Sequence, residues 1–188
     1  MSGFRVAIAA MLAVAFSLPA TGPAPAVRTG SAAVIVRFGT FHAYLPGGTA
    51  VTYDPARVPA GGRATVVELS TQSGTLVTLT LKGLLPNRDY GAHVHTARCG
   101  PNPADAGPHF QDLPDPHQPS TDPRYTNPRN EIWLDLHTDA AGNGHAMSTV
   151  DWVFAGRQAR SVVVHEHHTR TGDGAAGARL ACLNVGFR

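Results

Sequence analysis

Residues 75–81 read TLVTLTL. Successive side chains of an extended chain point to opposite faces, so Val77, Leu79 and Leu81 share one face and Thr78 and Thr80 the other. That alternation predicts a β-strand with one side in a core. Working outward, similar stretches recur. Residues 33–38 and 65–69 are apolar and β-branched. Residues 131–137 alternate, with Ile132, Leu134 and Leu136 predicted inward and Trp133, Asp135 and His137 outward. Residues 147–154 and 161–165 complete the set. Turn sequences separate them: Gly47-Gly48, Gly61-Gly62, Pro86-Asn87, Gly142-Asn143-Gly144 and residues 172–174. No convincing amphipathic helix interrupts the series. Many short strands with such turns predict an all-β sandwich or barrel.

The chain ahead of these strands has another character. Arg5 precedes an apolar run over residues 6–18, followed by Pro19, Ala20 and TGPAPA. Charged, apolar and small residues in that order predict a secretory signal peptide over residues 1–26, with cleavage after Ala20 or Ala26. The run is shorter than the about 20 residues a membrane helix needs. No Cys follows it, so no lipid anchor is expected, and no later segment is apolar enough to span. Residues 27–31 end a Pro/Ala/Gly-rich linker, and residues 32–188 are expected to form one domain. Roughly 160 residues suffice for a single core. Lys and Arg number 15 against 13 Asp and Glu, a near balance that points to neither nucleic acid nor an anionic membrane. The expected location is outside the cytoplasm, secreted or in the cell envelope. Cys99 and Cys182 are the two cysteines. In an exported chain such a pair reads as one disulfide, with two free thiols as the alternative. The bridge would close a loop of over 80 residues, stabilising by about 4–5 kcal/mol in the chain-entropy picture.

One segment breaks the strand pattern. Residues 99–130 carry prolines at 101, 103, 108, 114, 116, 119, 123 and 128, and predict a long loop without regular structure. Such loops in a compact domain are usually functional or disordered; this one holds His109 and His117, which favours function. Just before it, His93 and His95 stand two apart, on the same side of a strand. Such a pair is half a metal site or simply two surface histidines. His165 ends the apolar strand 161–165, as a ligand or a hydrogen-bonded rim residue. Imidazoles without a thiolate suit copper or zinc, and an all-imidazole set is well matched to copper.

GAHVHTARC at residues 91–99, GPHF at 107–110, SVVVHE at 161–166 and GARLAC at 177–182 occur in the order found in copper/zinc superoxide dismutases. The chain resembles that family over residues 76–188. The resemblance implies a Greek-key β-sandwich with long functional loops, and copper held by His93, His95, His109 and His165. His109 matches the imidazolate that bridges copper to zinc and relays a proton. Cys99 and Cys182 match the family disulfide. Arg179 matches the arginine that receives the anion beside the copper. The implied reaction converts superoxide, the expected partner, to oxygen and hydrogen peroxide. A homodimer is compatible with it.

The chain departs from the family at zinc. His117 matches a second zinc ligand, but the His-x-x-Asp pattern expected next is replaced by NPRNEI at residues 127–132. The segment between His165 and Arg179, residues 166–178, is shorter than the family's charged guiding loop. Both features resemble a copper-only branch, in which a carboxylate holds the histidine that zinc otherwise holds. Glu131 is the first candidate for that role and Asp135 the second. Zinc is accordingly expected to be absent or weakly held. Three other readings stand beside these. A non-catalytic copper-binding or buffering protein on the same scaffold is the alternative function. His167 and His168 read as a surface pair that collects stray metal. His42, His137 and His145 read as solvent-exposed residues without partners.

Overall fold

The computed structural model describes residues 32–188. The expected signal peptide and linker lie outside the described residues. Strand β4, Gly74–Lys82, buries Thr75, Val77, Leu79 and Leu81 and leaves the alternate side chains partly open. It pairs antiparallel with β3, Arg63–Thr71, through a tight turn in which Thr71 faces Gly74. Gly74 has φ +140°, and a Cβ there would lie 2.1 Å from the Val150 carbonyl oxygen, so glycine is required. β1, Ala33–Thr40, pairs with β3, and β7, Gly144–Val150, pairs with β4. This sheet has the order β1-β3-β4-β7.

The second sheet has the order β2-β9-β8-β5-β6. Its strands are β2, Ala50–Thr52; β5, Asp89–His95; β6, Leu136–His137; β8, Ser161–His165; and β9, Arg179–Asn184. All strand pairs in both sheets are antiparallel. The two sheets face one another across one apolar core, in which Val66, Leu79, Leu81, Ile132, Val162 and Leu183 are fully buried. The fold is an all-β sandwich, and no α-helix occurs among the described residues.

β8 is buried at every residue because both its faces are covered. Val162 and Val164 enter the main core. Val163 joins Val51, Cys182 and Ala106 in a second small cluster on the other face. Ala106 belongs to a 3-10 helix, Pro103–Ala106, so the Pro-rich segment contains one regular turn where none was expected. A disulfide joins Cys99 to Cys182 and fixes the start of that segment to β9.

Two strand expectations need adjustment. Residues 147–154 form a strand only as far as Val150, the end of β7. Residues 131–137 bury Ile132, Leu134 and Leu136 as predicted, but only Leu136 and His137 form a ladder. Upstream, the segment lies beside β5 through Leu134 N–H to Ala92 O at 2.8 Å and an isolated bridge from Trp133 to His93, and Glu131 bridges to Gln111 of the Pro-rich segment.

Candidate metal centre

β5 alternates its side chains between core and site. Ala92 and Val94 enter the core, so His93 and His95 turn to the other face, where both are fully buried. His165, at the end of β8, is buried beside them. His109 arrives from the Pro-rich segment, whose backbone bridges to His95 and bonds from Phe110 N–H to Val94 O at 2.8 Å. The four histidines each offer a ring nitrogen within 4.8 Å of the others.

Hydrogen bonds fix the tautomer of each ring. Thr169 donates its only hydroxyl proton to Asp135 Oδ1 at 2.6 Å, so its oxygen accepts from His93 Nε2–H at 2.7 Å. The remaining nitrogen, His93 Nδ1, is a bare lone pair, buried and without a partner. His95 Nδ1–H donates to Gly107 O at 2.9 Å, and His165 Nδ1–H faces Gly177 O at 3.5 Å. Their Nε2 lone pairs confront each other at 3.3 Å. His109 Nδ1–H donates to Glu131 Oε2 at 2.9 Å, which leaves its Nε2 free. Four lone pairs in a buried space, with one of them orphaned, are the signature of a cation site. Four neutral nitrogens and no thiolate suit copper.

Burial keeps His93, His95 and His165 neutral. It pushes the pKa of His93 and His95 well below the usual histidine value, and neighbouring His109 and His165 push in the same direction. His165 is lowered to about 3, first by burial and then by His109. Neutral imidazole is the ligand form.

Glu131 is the anchor of the His109 side. Its side chain is 1% exposed. It accepts from His109, from Trp133 Nε1 at 2.7 Å and from Gln111 Nε2 at 2.8 Å. The Trp133 ring in turn lies edge-on to His93, with centroids 6.2 Å apart. Asp135 is elsewhere: it accepts from Thr169 N and Oγ1 at 2.8 and 2.6 Å and acts on His93. His117 is exposed and outside the histidine group, tied only through its backbone N–H to Asp115 at 2.8 Å.

Arg179 opens β9 and pairs across the ladder with His165. Its Nη1 donates to Pro103 O at 3.0 Å in the disulfide-anchored segment. Burial lowers its pKa from the usual arginine value. His109, Glu131, His165 and Arg179 line a cavity of about 720 Å³, together with residues 118–121 and 173–177. His93 and His95 do not line that cavity.

Two residues that sequence reasoning missed complete the site. Thr169 carries no charge and belongs to no motif. It reaches His93 because the chain after β8 crosses β5 at Gly91, where a Cβ would lie 2.3 Å from the His167 carbonyl oxygen. Gln111 follows His109 by two residues, on the same side of an extended segment, and a search for polar partners at that spacing would have found it. The surface histidines also differ from expectation. His137 is hydrogen-bonded to Asp89, and His168 contacts Leu136 O rather than pairing with His167.

The family model described as copper/zinc superoxide dismutase matches residues 60–185. A solved structure of Cu/Zn superoxide dismutase from Brucella abortus is similar in fold, with 20% identity, 82% of this chain and 99% of that chain covered, and a TM-score of 0.53. No curated protein matches the chain by sequence. The matched residues take in β3 to β9 with the four histidines, both cysteines and Arg179, and the chain therefore belongs to the copper/zinc superoxide dismutase family.

Proposed function

We propose that this protein disproportionates superoxide at a copper ion held by His93, His95, His109 and His165, with no zinc of the family kind beside it. The observation that carries this reading is the Glu131–His109 contact at 2.9 Å, which occupies the ring nitrogen that a zinc ion would need. Copper in this centre supplies one-electron exchange, by which one superoxide is oxidised to oxygen and another is reduced, with two protons, to hydrogen peroxide.

The protein's own groups do the rest. Arg179 lies on the cavity wall with a guanidinium that attracts and orients a small anion. His109 borders the same cavity. Its Nδ1–H is committed to Glu131, so Nε2, the nitrogen that would hold the ion, is also the one that would take up a proton when not bound to it and hand that proton to reduced dioxygen. When Nε2 is protonated, the Glu131 carboxylate sits beside the imidazolium and keeps the ring in place. His93 and His95 lie behind the wall, held by Thr169 and Gly107.

Residues 1–26 as an export signal and residues 32–188 as the working domain belong to the same proposal. The Cys99–Cys182 disulfide suits an oxidising compartment. A copper store on this scaffold has no use for an arginine on the cavity wall, so the placement of Arg179 favours the enzyme.

The test is elemental analysis together with superoxide turnover on one sample. One copper per chain, lost together with activity in His95→Ala and His165→Ala, is the expected result. Full copper loading in both variants would overturn the ligand set. Stoichiometric copper without turnover would leave the storage reading in its place.

A further inference from the structure

The sheet β1-β3-β4-β7 turns one face to the core and the other outward. Strand pairing sets the outward residues in rows across the sheet. Val36, Val67, Thr78 and Met147 form one row, and the rows on either side of it start at Phe38 and at Val34. No Asp, Glu, Lys or Arg stands in these three rows. Val34, Val36, Phe38 and Met147 are 61%, 49%, 76% and 65% exposed. Large apolar side chains gathered on one uncharged face mark a contact surface.

The free edge of β1 is guarded, whereas the face is not. Arg37 lies on the same side of β1 as the buried Ile35, yet it is exposed, and its Nη1 donates to Val36 O at 2.9 Å. A charge turned inward on an edge strand opposes edge-to-edge pairing. On the face itself, charge collects only at the ends. The row beyond Phe38 holds Arg63 beside Lys82. At the other end the chain leaves β7 at Asp151, against Gly74.

The geometry points to a second copy of this chain as the occupant, stacked face to face about a two-fold axis that runs along the Val36–Met147 row. Such an axis sets Val36 and Met147 each against its own counterpart and Phe38 toward Val34 of the partner subunit. It also carries the cations of one copy to the acidic end of the other, so the face is complementary to itself in charge as well as in polarity. Strands about 4.8 Å apart, with outward residues about 6.8 Å apart along each, give this face a footprint of roughly 19 by 34 Å, about 650 Å² per copy. Two copies together cover about 1,300 Å², above the about 1,000 Å² that a specific interface needs. His93, His95 and His165 belong to the other sheet, so the pairing leaves the cavity of each copy open.

Sedimentation equilibrium over a concentration series, on copper-loaded protein, tests the assignment. A reversible dimer is expected in the parent. Val36→Glu and Met147→Glu each place like charges across the axis and should raise the dimer Kd about 10-fold or more. Leu45→Glu, at an exposed apolar residue in the connection between β1 and β2, should leave it at the parental value. Packed sheets lie about 10 Å apart, within reach of a short bismaleimide. The protein has no free cysteine, so this reagent should link Val36→Cys into a covalent dimer and leave Leu45→Cys as single chains. A parent that stays monomeric at every concentration, or a dimer that keeps its Kd in both glutamate variants, would overturn the assignment. Cross-linking of Leu45→Cys as efficient as that of Val36→Cys would do the same.

Discussion

Glu131 Oε2 lies 2.9 Å from His109 Nδ1, so a buried carboxylate decides which nitrogen of that ring carries its proton. Glu131→Gln places an amide there. Glu131 Oε2 accepts from both His109 Nδ1–H and Trp133 Nε1–H, so the amide oxygen takes that place, the N–H₂ faces Gln111 Nε2, and His109 keeps a neutral acceptor where it had a charged one. Copper affinity is expected to fall roughly 10–100-fold, the usual range for loss of a ligand-orienting group. Competition with a chelator of known affinity measures it. An unchanged copper affinity would show that the negative charge of Glu131 does not strengthen the hold of His109 on the metal.

Thr169→Val keeps the shape of the side chain and removes the hydroxyl between Asp135 and His93. His93 Nε2–H then loses its acceptor, and the preference for a bare Nδ1 weakens. Copper affinity is expected to drop about 10-fold, with thermal stability close to the parental value and recovery in Thr169→Ser. Parental copper affinity in the valine variant would show that the relay has no hold on the metal.

Arg179→Ala is expected to leave copper content unchanged and to cut the second-order rate constant about 10-fold. The loss should shrink as salt rises, because screening acts over about 8 Å at physiological ionic strength. Stopped-flow rates in a salt series provide the measurement. Rates and salt dependence equal to the parent would remove Arg179 from anion guidance.

Glu68 offers a test in the core. It is 1% exposed, accepts from Ser70 Oγ at 2.7 Å, and lies 3.3 Å from the Arg188 backbone N–H. Burial raises its pKa above the usual glutamate value, outweighing these hydrogen bonds. A raised folded-state pKa contributes stability that is present below the unfolded pKa, about 4.3, and is lost as pH rises through the folded value. Glu68→Gln removes the titration and keeps an acceptor for Ser70. Its Tm should exceed that of the parent at pH 7, and the difference should disappear below about pH 4. A difference independent of pH would show that ionisation of Glu68 is not its source.

Local patterns in the sequence account for much of the sandwich. β4 is legible because one face meets the core and the other does not. β8 is legible as an apolar run, although its second covering, by Val51, Ala106 and Cys182, comes from distant segments. Residues 33–38 predict a strand, yet in β1 Val34, Val36 and Phe38 face solvent and Ile35 faces the core. β2 has three residues, too few for any periodicity to register. At the site, the spacing of His93 and His95 is local and visible. The meeting of those two with His109 and His165 depends on ladders between remote segments, and only the family resemblance anticipated it. Asp135 was legible as a carboxylate near the centre but not as the partner of Thr169, because that contact depends on where the chain after β8 crosses Gly91.

The placement of Trp133 has an optical consequence. Its indole N–H is bound to the carboxylate that holds His109, and its ring stands 6.2 Å from His93. Trp152, the other tryptophan, packs against Phe110 and Phe154. A paramagnetic Cu(II) among the four histidines would quench the emission of Trp133, whereas a closed-shell ion in the same place would leave more of it. Intrinsic fluorescence is therefore expected to follow both the filling of the centre and its oxidation state, without any added label.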